Sequence, residues 1–281
     1  MPEKNERVHR YHAEASALKG HLKLPIAQEI EPQVHTKLPE TGGYLTQRTE
    51  IYRIESIISF RSAFTHVGGN RSDKPGGGFT TLTTTVVEGL NVMEVVTADR
   101  VVGQMITEHP LDGYIPSISF LGTRFDNLRI AGHPVHVEFD QGIFGPEPVN
   151  DVPYTREPGF VSRVGRQYDR IRQNKNLPEA LQERYNRLSS TLGASEEAEC
   201  SLINQVGGLF PGTIAGNVIR VPGFGTVTLA KLVVKHEDPH AETKVPTKTT
   251  FHLTMIDLEL GCAASGNVPI GNGTSNGGGV G

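Results

Sequence analysis

The sequence predicts a mainly β protein: an antiparallel sandwich or barrel-like sheet of about nine to eleven strands, carrying an inserted helical hairpin. Three observations lead there. Thr- and Val-rich text with a period of two recurs along the chain, as in "FTTLTTTVVEGLNV" at 79–92, and such residues pack well on a pleated surface. The 281 residues include 32 Gly and 18 Pro, which punctuate the chain at the short intervals that many turns require. One stretch, 157–193, abandons period two for the helical period.

Taken in order, residues 1–12 are charged and are expected to form a flexible N-terminus. "AEASALKGHLKL" (13–24) alternates small and apolar residues as a first strand would. Residues 25–43 are proline-punctuated and read as a long connection. Within it, "LPETGG" (38–43) spells a sortase pentapeptide, but no apolar span follows, and it reads as a turn. "IYRIESIISF" (51–60) reads as one strand. Tyr52, Ile54, Ile58 and Phe60 share a face, Arg53, Glu55 and Ser59 take the other, and Ile57 breaks the pattern. "GGNRSDKPGGG" (68–78) reads as a loop. It lacks the GxxxxGK[ST] spacing and the following helix that a phosphate cradle needs.

Strands follow at 79–92, at 93–108 with a break near Ala98 and Asp99, at 115–132 and at 133–140. The helical stretch then places Phe160, Val164, Tyr168 and Ile171 in one stripe. Leu181, Tyr185 and Leu188 form a second, with Pro178 in the first turn and Gly193 as a stop. Strand text resumes at 198–206, 216–221, 225–237 and 250–260. The Gly-, Asn- and Ser-rich end (267–281) is expected to be a flexible tail. Residues 13–266 thus form a single β-rich domain with a helical insert.

The segments also resemble a known family. Val87, Leu90, Val92, Val96, Thr97, Ala98, Asp99 and Val101 fit V-x-x-L-x-(V/L)-x-x-x-V-T-A-D-x-V. Phe125, Asn127, Leu128, Ile130, Gly132, Pro134 and Val135 fit F-x-N-L-x-(V/I)-x-G-x-P-V. Val221, Pro222, Gly223, Gly225, Val227 and Leu229 fit (L/V)-P-G-x-G-x-V-x-L, and Ala264, Ser265 and Gly266 follow a last apolar strand. In this order, over roughly 50–140 and 215–266, they resemble the choice-of-anchor P family of bacterial surface β-domains. The resemblance implies a β fold and a non-enzymatic role at the cell surface or outside it. The chain differs from that pattern in its helical insert. It also has no apolar h-region near its start, which by itself points to the cytoplasm.

The chemistry-bearing residues form few constellations. "HEDPH" brings His236, Glu237, Asp238 and His240 into a turn, where a divalent metal would find four ligands; a charged turn with no specific metal is the plainer reading. His133, His136 and Glu138 are close in sequence, but only His136 and Glu138 share a strand face. Arg163, Arg166, Arg170 and Arg184 make the insert locally basic, either as a partner surface or as ordinary solvated helix. Cys200 and Cys262 lie in strand-like text, either as a disulfide or as two buried thiols, and are too sparse for zinc. Asp99, Asp257 and Glu259 are the carboxylates a hydrolase would draw on, although Asp257 and Glu259 also read as charges protecting a strand edge.

No GxSxG elbow is present, no catalytic residue stands out and no cofactor is expected. Net charge −4 gives no reason to expect nucleic acid, and no apolar run is long enough to span a membrane. The expected function is therefore a non-enzymatic structural or binding domain acting by assembly, or on a protein or carbohydrate partner. The alternatives are a carbohydrate-active or other hydrolase on a β-sandwich, and a cytoplasmic binding protein using the basic helices.

Overall fold

The computed structural model describes residues 8–25, 27–73, 77–111, 113–146, 151–237, 248–261 and 264–280. It is mainly β and antiparallel, with two helices and no closed barrel. The strands are β1 (Val8–Leu24), β2 (Gln28–Gln33), β3 (Thr36–Lys37), β4 (Gly43–Ile54), β5 (Ile58–Arg71), β6 (Phe79–Val92), β7 (Val96–His109), β8 (Ser117–Ser119), β9 (Arg124–Asp126), β10 (Arg129–Ile130), β11 (His133–Pro134) and β12 (His136–Phe139). The helices α1 (Pro158–Arg172) and α2 (Glu179–Thr191) follow. The chain closes with β13 (Glu197–Ser201), β14 (Ile203–Gly207), β15 (Thr213–Ala215), β16 (Val218–Val221), β17 (Gly225–Glu237), β18 (Lys248–Gly261) and β19 (Ser265–Val280). The total of 19 exceeds the expected range because pieces of two to four residues count as strands; eleven have five residues or more.

Two sheets pack face to face. The nine-stranded sheet runs β15-β16-β17-β18-β19-β1-β2, with β13 beside β17 and β3 beside β1. The eight-stranded sheet runs β11-β10-β7-β6-β5-β4, with β8 and β9 beside β7. A separate ribbon pairs β12 with β14.

Both chain ends depart from expectation. Residues 265–280 are not a free tail: β19 lies between β1 and β18 and pairs with both along most of its length. Expected flexibility at 1–12 also yields, because β1 begins at Val8 and Tyr11 is buried; residues 1–7 lie outside the described set. The strand expected at 51–60 is split by a turn at 55–57, where the Ile57 N–H donates to the Ile54 carbonyl at 3.0 Å.

Strand alternation reverses once along each long strand, and the reversals line up. In the nine-stranded sheet, Ala17–Leu18, Leu229–Ala230, Met255–Ile256 and Ile270–Gly271 are consecutive buried pairs on four neighbouring strands. The ladders skip this row, and Ala230 (φ 42°) and Gly271 (φ 67°) are left-handed there. A Cβ on Gly271 would sit 3.0 Å from that of Met255, so glycine suits both the angle and the space. In the eight-stranded sheet the reversal falls at Arg61–Ser62, Glu88–Gly89 and Asp99–Arg100, again with a left-handed glycine, Gly89 (φ 63°). It turns Ser62, Glu88 and Arg100 outward together, and Glu88 accepts hydrogen bonds from both neighbours.

The two halves of the sandwich have different interiors. One is apolar, with Leu18, Ile58, Phe60, Leu90, Val92, Val96, Ile256, Leu258, Val268 and Ile270 buried. In the other, small and hydroxylated residues bring the sheets close enough to bond directly. Thr85 Oγ1 donates to the Asn272 carbonyl at 2.8 Å, and the Thr107 and Ser275 hydroxyls pair at 2.8 Å.

The helices fall where the sequence predicts them, except that Pro178 precedes α2 as its N-cap and Leu188 is only half-buried. The Glu157 carboxylate caps α1 by accepting from the Gly159 and Phe160 N–H groups, and Pro158 sits where a first-turn N–H would be unpaired anyway. Phe160, Val164, Tyr168 and Ile171 are all buried in the core, as are Leu181 and Tyr185 of α2. Among the described residues, no helix is long and apolar enough to cross a membrane.

Candidate interaction surface

The most accessible chemistry lies on β4, which ends the eight-stranded sheet. β4 pairs with β5 from Gly43↔Gly69 to Ile54↔Ile58, and among the described residues no strand pairs with its other edge. It is exposed on both faces for most of its length. Tyr44, Leu45 and Ile51 are 63%, 42% and 79% exposed, which is unusual for large apolar side chains in a strand.

Period two puts Tyr44, Thr46, Arg48 and Glu50 on one face, and their contacts agree. The Tyr44 ring stacks on His66 at 6.1 Å, the Thr46 hydroxyl pairs with His66 Nδ1 at 2.7 Å, and Arg48 lies 3.7 Å from Glu50. Natural edges are defended by charge and bulges. β4 has both: Arg48 and Glu50, and a left-handed Ile51 (φ 28°) on the reversal row.

A second polar layer fastens the helices to the nine-stranded sheet. Arg184 of α2 pairs with Glu199 at 2.7 Å and lies 3.8 Å from Glu259. The Tyr168 phenol donates to the Glu199 carbonyl, and Gln167 exchanges hydrogen bonds with the Ser201 backbone. Burial pushes the Tyr168 and Tyr185 phenols well above the usual range, so both stay protonated. Lys231 and Asn267 both donate to Asp257. The partly open cavity beneath this layer has about one water's volume and is lined by Gln167, Tyr168, Tyr185, Cys200, Ser201 and Asn217 among others. It has no room for a substrate.

The residues singled out in the sequence disperse. His236 is buried in β17, its Nδ1 3.0 Å from the Thr249 hydroxyl, while Glu237 pairs with Lys235 at 2.8 Å. Adjacent strand residues point to opposite faces, so this pair does not converge on one ion. Asp238 and His240 lie outside the described residues, among which no cluster of three or more metal-ligating side chains occurs. Glu138 accepts from Asn204 across the β12–β14 ribbon.

Three of the four arginines are engaged internally. Arg163 donates to the Ile143 and Phe144 carbonyls, Arg170 to the Asn204 carbonyl, and Arg184 to Glu199. Among the described residues, Arg166 donates to Ser162 of its own helix. Cys200 is a buried free thiol whose pKa burial pushes up; Cys262 lies outside the described residues. The three carboxylates do not share a cleft. Asp99 is on the eight-stranded sheet and accepts from Asn127 at 2.6 Å, while Asp257 and Glu259 are on β18. The Asp99–Asn127 bond joins the V-T-A-D and F-x-N-L segments. The β4 edge was hidden in the sequence, because which strand ends a sheet depends on pairings far apart in the chain.

No curated protein and no solved structure matches the chain. One family model matches residues 9–235 and stops short of β18 and β19, the hairpin that fills the middle of the nine-stranded sheet. On that match the chain belongs to the family described as Domain of unknown function (DUF8256).

Proposed function

We infer that this protein is a non-enzymatic β-rich module that works by assembly or by binding a protein or carbohydrate partner across its sheet surface. The observation that carries the reading is β4: a twelve-residue edge strand, exposed on both faces, bearing solvent-facing Tyr44, Leu45 and Ile51. An open edge with apolar side chains is a template for another chain. The likeness of the β6–β7, β9–β11 and β16–β17 segments to the choice-of-anchor P family supports the same reading by analogy of fold. The carboxylates a hydrolase would need are instead engaged in ion pairs and strand-to-strand hydrogen bonds.

The test has two arms on the full chain: sedimentation over a wide concentration range together with a glycan array, and a panel of glycoside and ester substrates. Self-association or glycan binding without turnover supports the reading. Turnover that disappears in Asp99→Asn, Asp257→Asn or Glu259→Gln would overturn it in favour of a hydrolase.

A further inference from the structure

We propose that β4 is a homodimerisation edge, pairing antiparallel with β4 of a second copy about a two-fold axis at Thr49. This rests on the reading above and names the partner. A two-fold axis perpendicular to a continuous sheet keeps each residue on its own face, so residues of like parity must lie opposite each other. With Thr49 on the axis, Arg48 of each copy faces Glu50 of the other, on the face where the two already lie 3.7 Å apart within one strand. The neighbouring registers that satisfy the same parity place the axis on Arg48 or on Glu50. They set Arg48 against Arg48 or Glu50 against Glu50, and directly opposed like charges are unfavourable.

Charge therefore selects one register and one partner, a strand carrying the same two residues in the same order. Both side chains are free to re-pair, being 65% and 77% exposed. The left-handed Ile51 and its skipped pairing with Arg61 mark where the strand changes face, so the regular ladder about the axis runs over Arg48–Glu50 in each copy. Three residues a side make a small contact. The dimer is accordingly weak, concentration-dependent and sensitive to salt, because exposed pairs are screened.

The test is sedimentation equilibrium on the full-length wild type and on Arg48→Glu, Glu50→Arg and the double exchange, at low and high salt. Melting curves serve as the folding control, since both positions are on the surface. The wild type should dimerise at low salt, and each single reversal should weaken the dimer by ~tenfold or more. The double exchange should restore it, because opposite charges then face each other across the axis once more. A wild-type dimer indifferent to Arg48→Glu would overturn this register while leaving the assembly reading standing. A monomeric wild type would overturn the homodimer, and the glycan arm above would decide the broader reading.

Discussion

Deleting residues 267–281 would remove a stretch whose composition resembles a linker. Here it forms most of β19, with β1 on one side and β18 on the other. Val268 and Ile270 are fully buried, and burying such side chains stabilises a fold by about 1.5–3 kcal/mol each. Thr85 and Thr107 would lose their partners on the facing sheet, and leaving a buried hydroxyl unpaired costs about 1–3 kcal/mol. Together these losses rival the ~5–15 kcal/mol that holds a typical domain together, before the ladders stripped from β1 and β18 are considered. Urea titration followed by far-ultraviolet circular dichroism should show no cooperative transition for the deletion. Ile270→Ala alone should unfold cooperatively with a loss of ~2–5 kcal/mol. A deletion variant with the wild-type midpoint and slope would refute the placement of β19 in the centre of the sheet.

Other expectations can be checked on the same protein. Arg184→Met leaves the mostly buried Glu199 without its cation and should cost ~3 kcal/mol in urea, whereas Arg166→Met, whose side chain donates to Ser162 of its own helix, should stay within ~0.5 kcal/mol. The His252 imidazole, half-buried and flanked by Lys19 and Lys231, has its pKa lowered by desolvation from 6.5 to about 4. The unfolded chain therefore takes up the proton first as pH falls. The contribution of His252 to stability is complete above about pH 6.5 and is lost between there and about pH 4; His252→Asn should flatten that part of the wild-type stability profile. Cys200, buried with a raised thiol pKa, should resist iodoacetamide in the native protein and react on unfolding, read by mass spectrometry of its peptide.

The helical hairpin was legible because Phe160, Val164, Tyr168 and Ile171 repeat at helical spacing, and that stripe is what the core buries. The text at 79–92 and 225–237 was legible as strand from its Thr and Val content, but 115–132, read as one strand, is three short pieces, β8, β9 and β10, and β7 runs unbroken through Ala98 and Asp99. The turn at 55–57 was not, because Glu55, Ser56 and Ile57 include neither Gly nor Pro; the apolar Ile57, out of step with its neighbours, was its trace. The alternation reversals leave a similar trace in adjacent apolar residues such as Met255 and Ile256. Their meaning appears only when four such pairs align across the sheet. Of the four residues of the metal reading, His236 and Glu237 are turned by strand parity one inward and the other outward, and Asp238 and His240 lie outside the described residues.

By itself, the sequence determined the class of fold, the position of the helices and the lack of any compact catalytic motif, because periodicity and turn chemistry are local properties. Only the tertiary structure decided that the Gly-rich end is a central strand. Its ladder and its close fit against Thr83 and Met105 come from β1, β18 and the facing sheet, not from its own weak strand preference. Only the tertiary structure decided, too, that β4 is the open edge and that Arg184 is a strut, since both follow from which distant segments became neighbours.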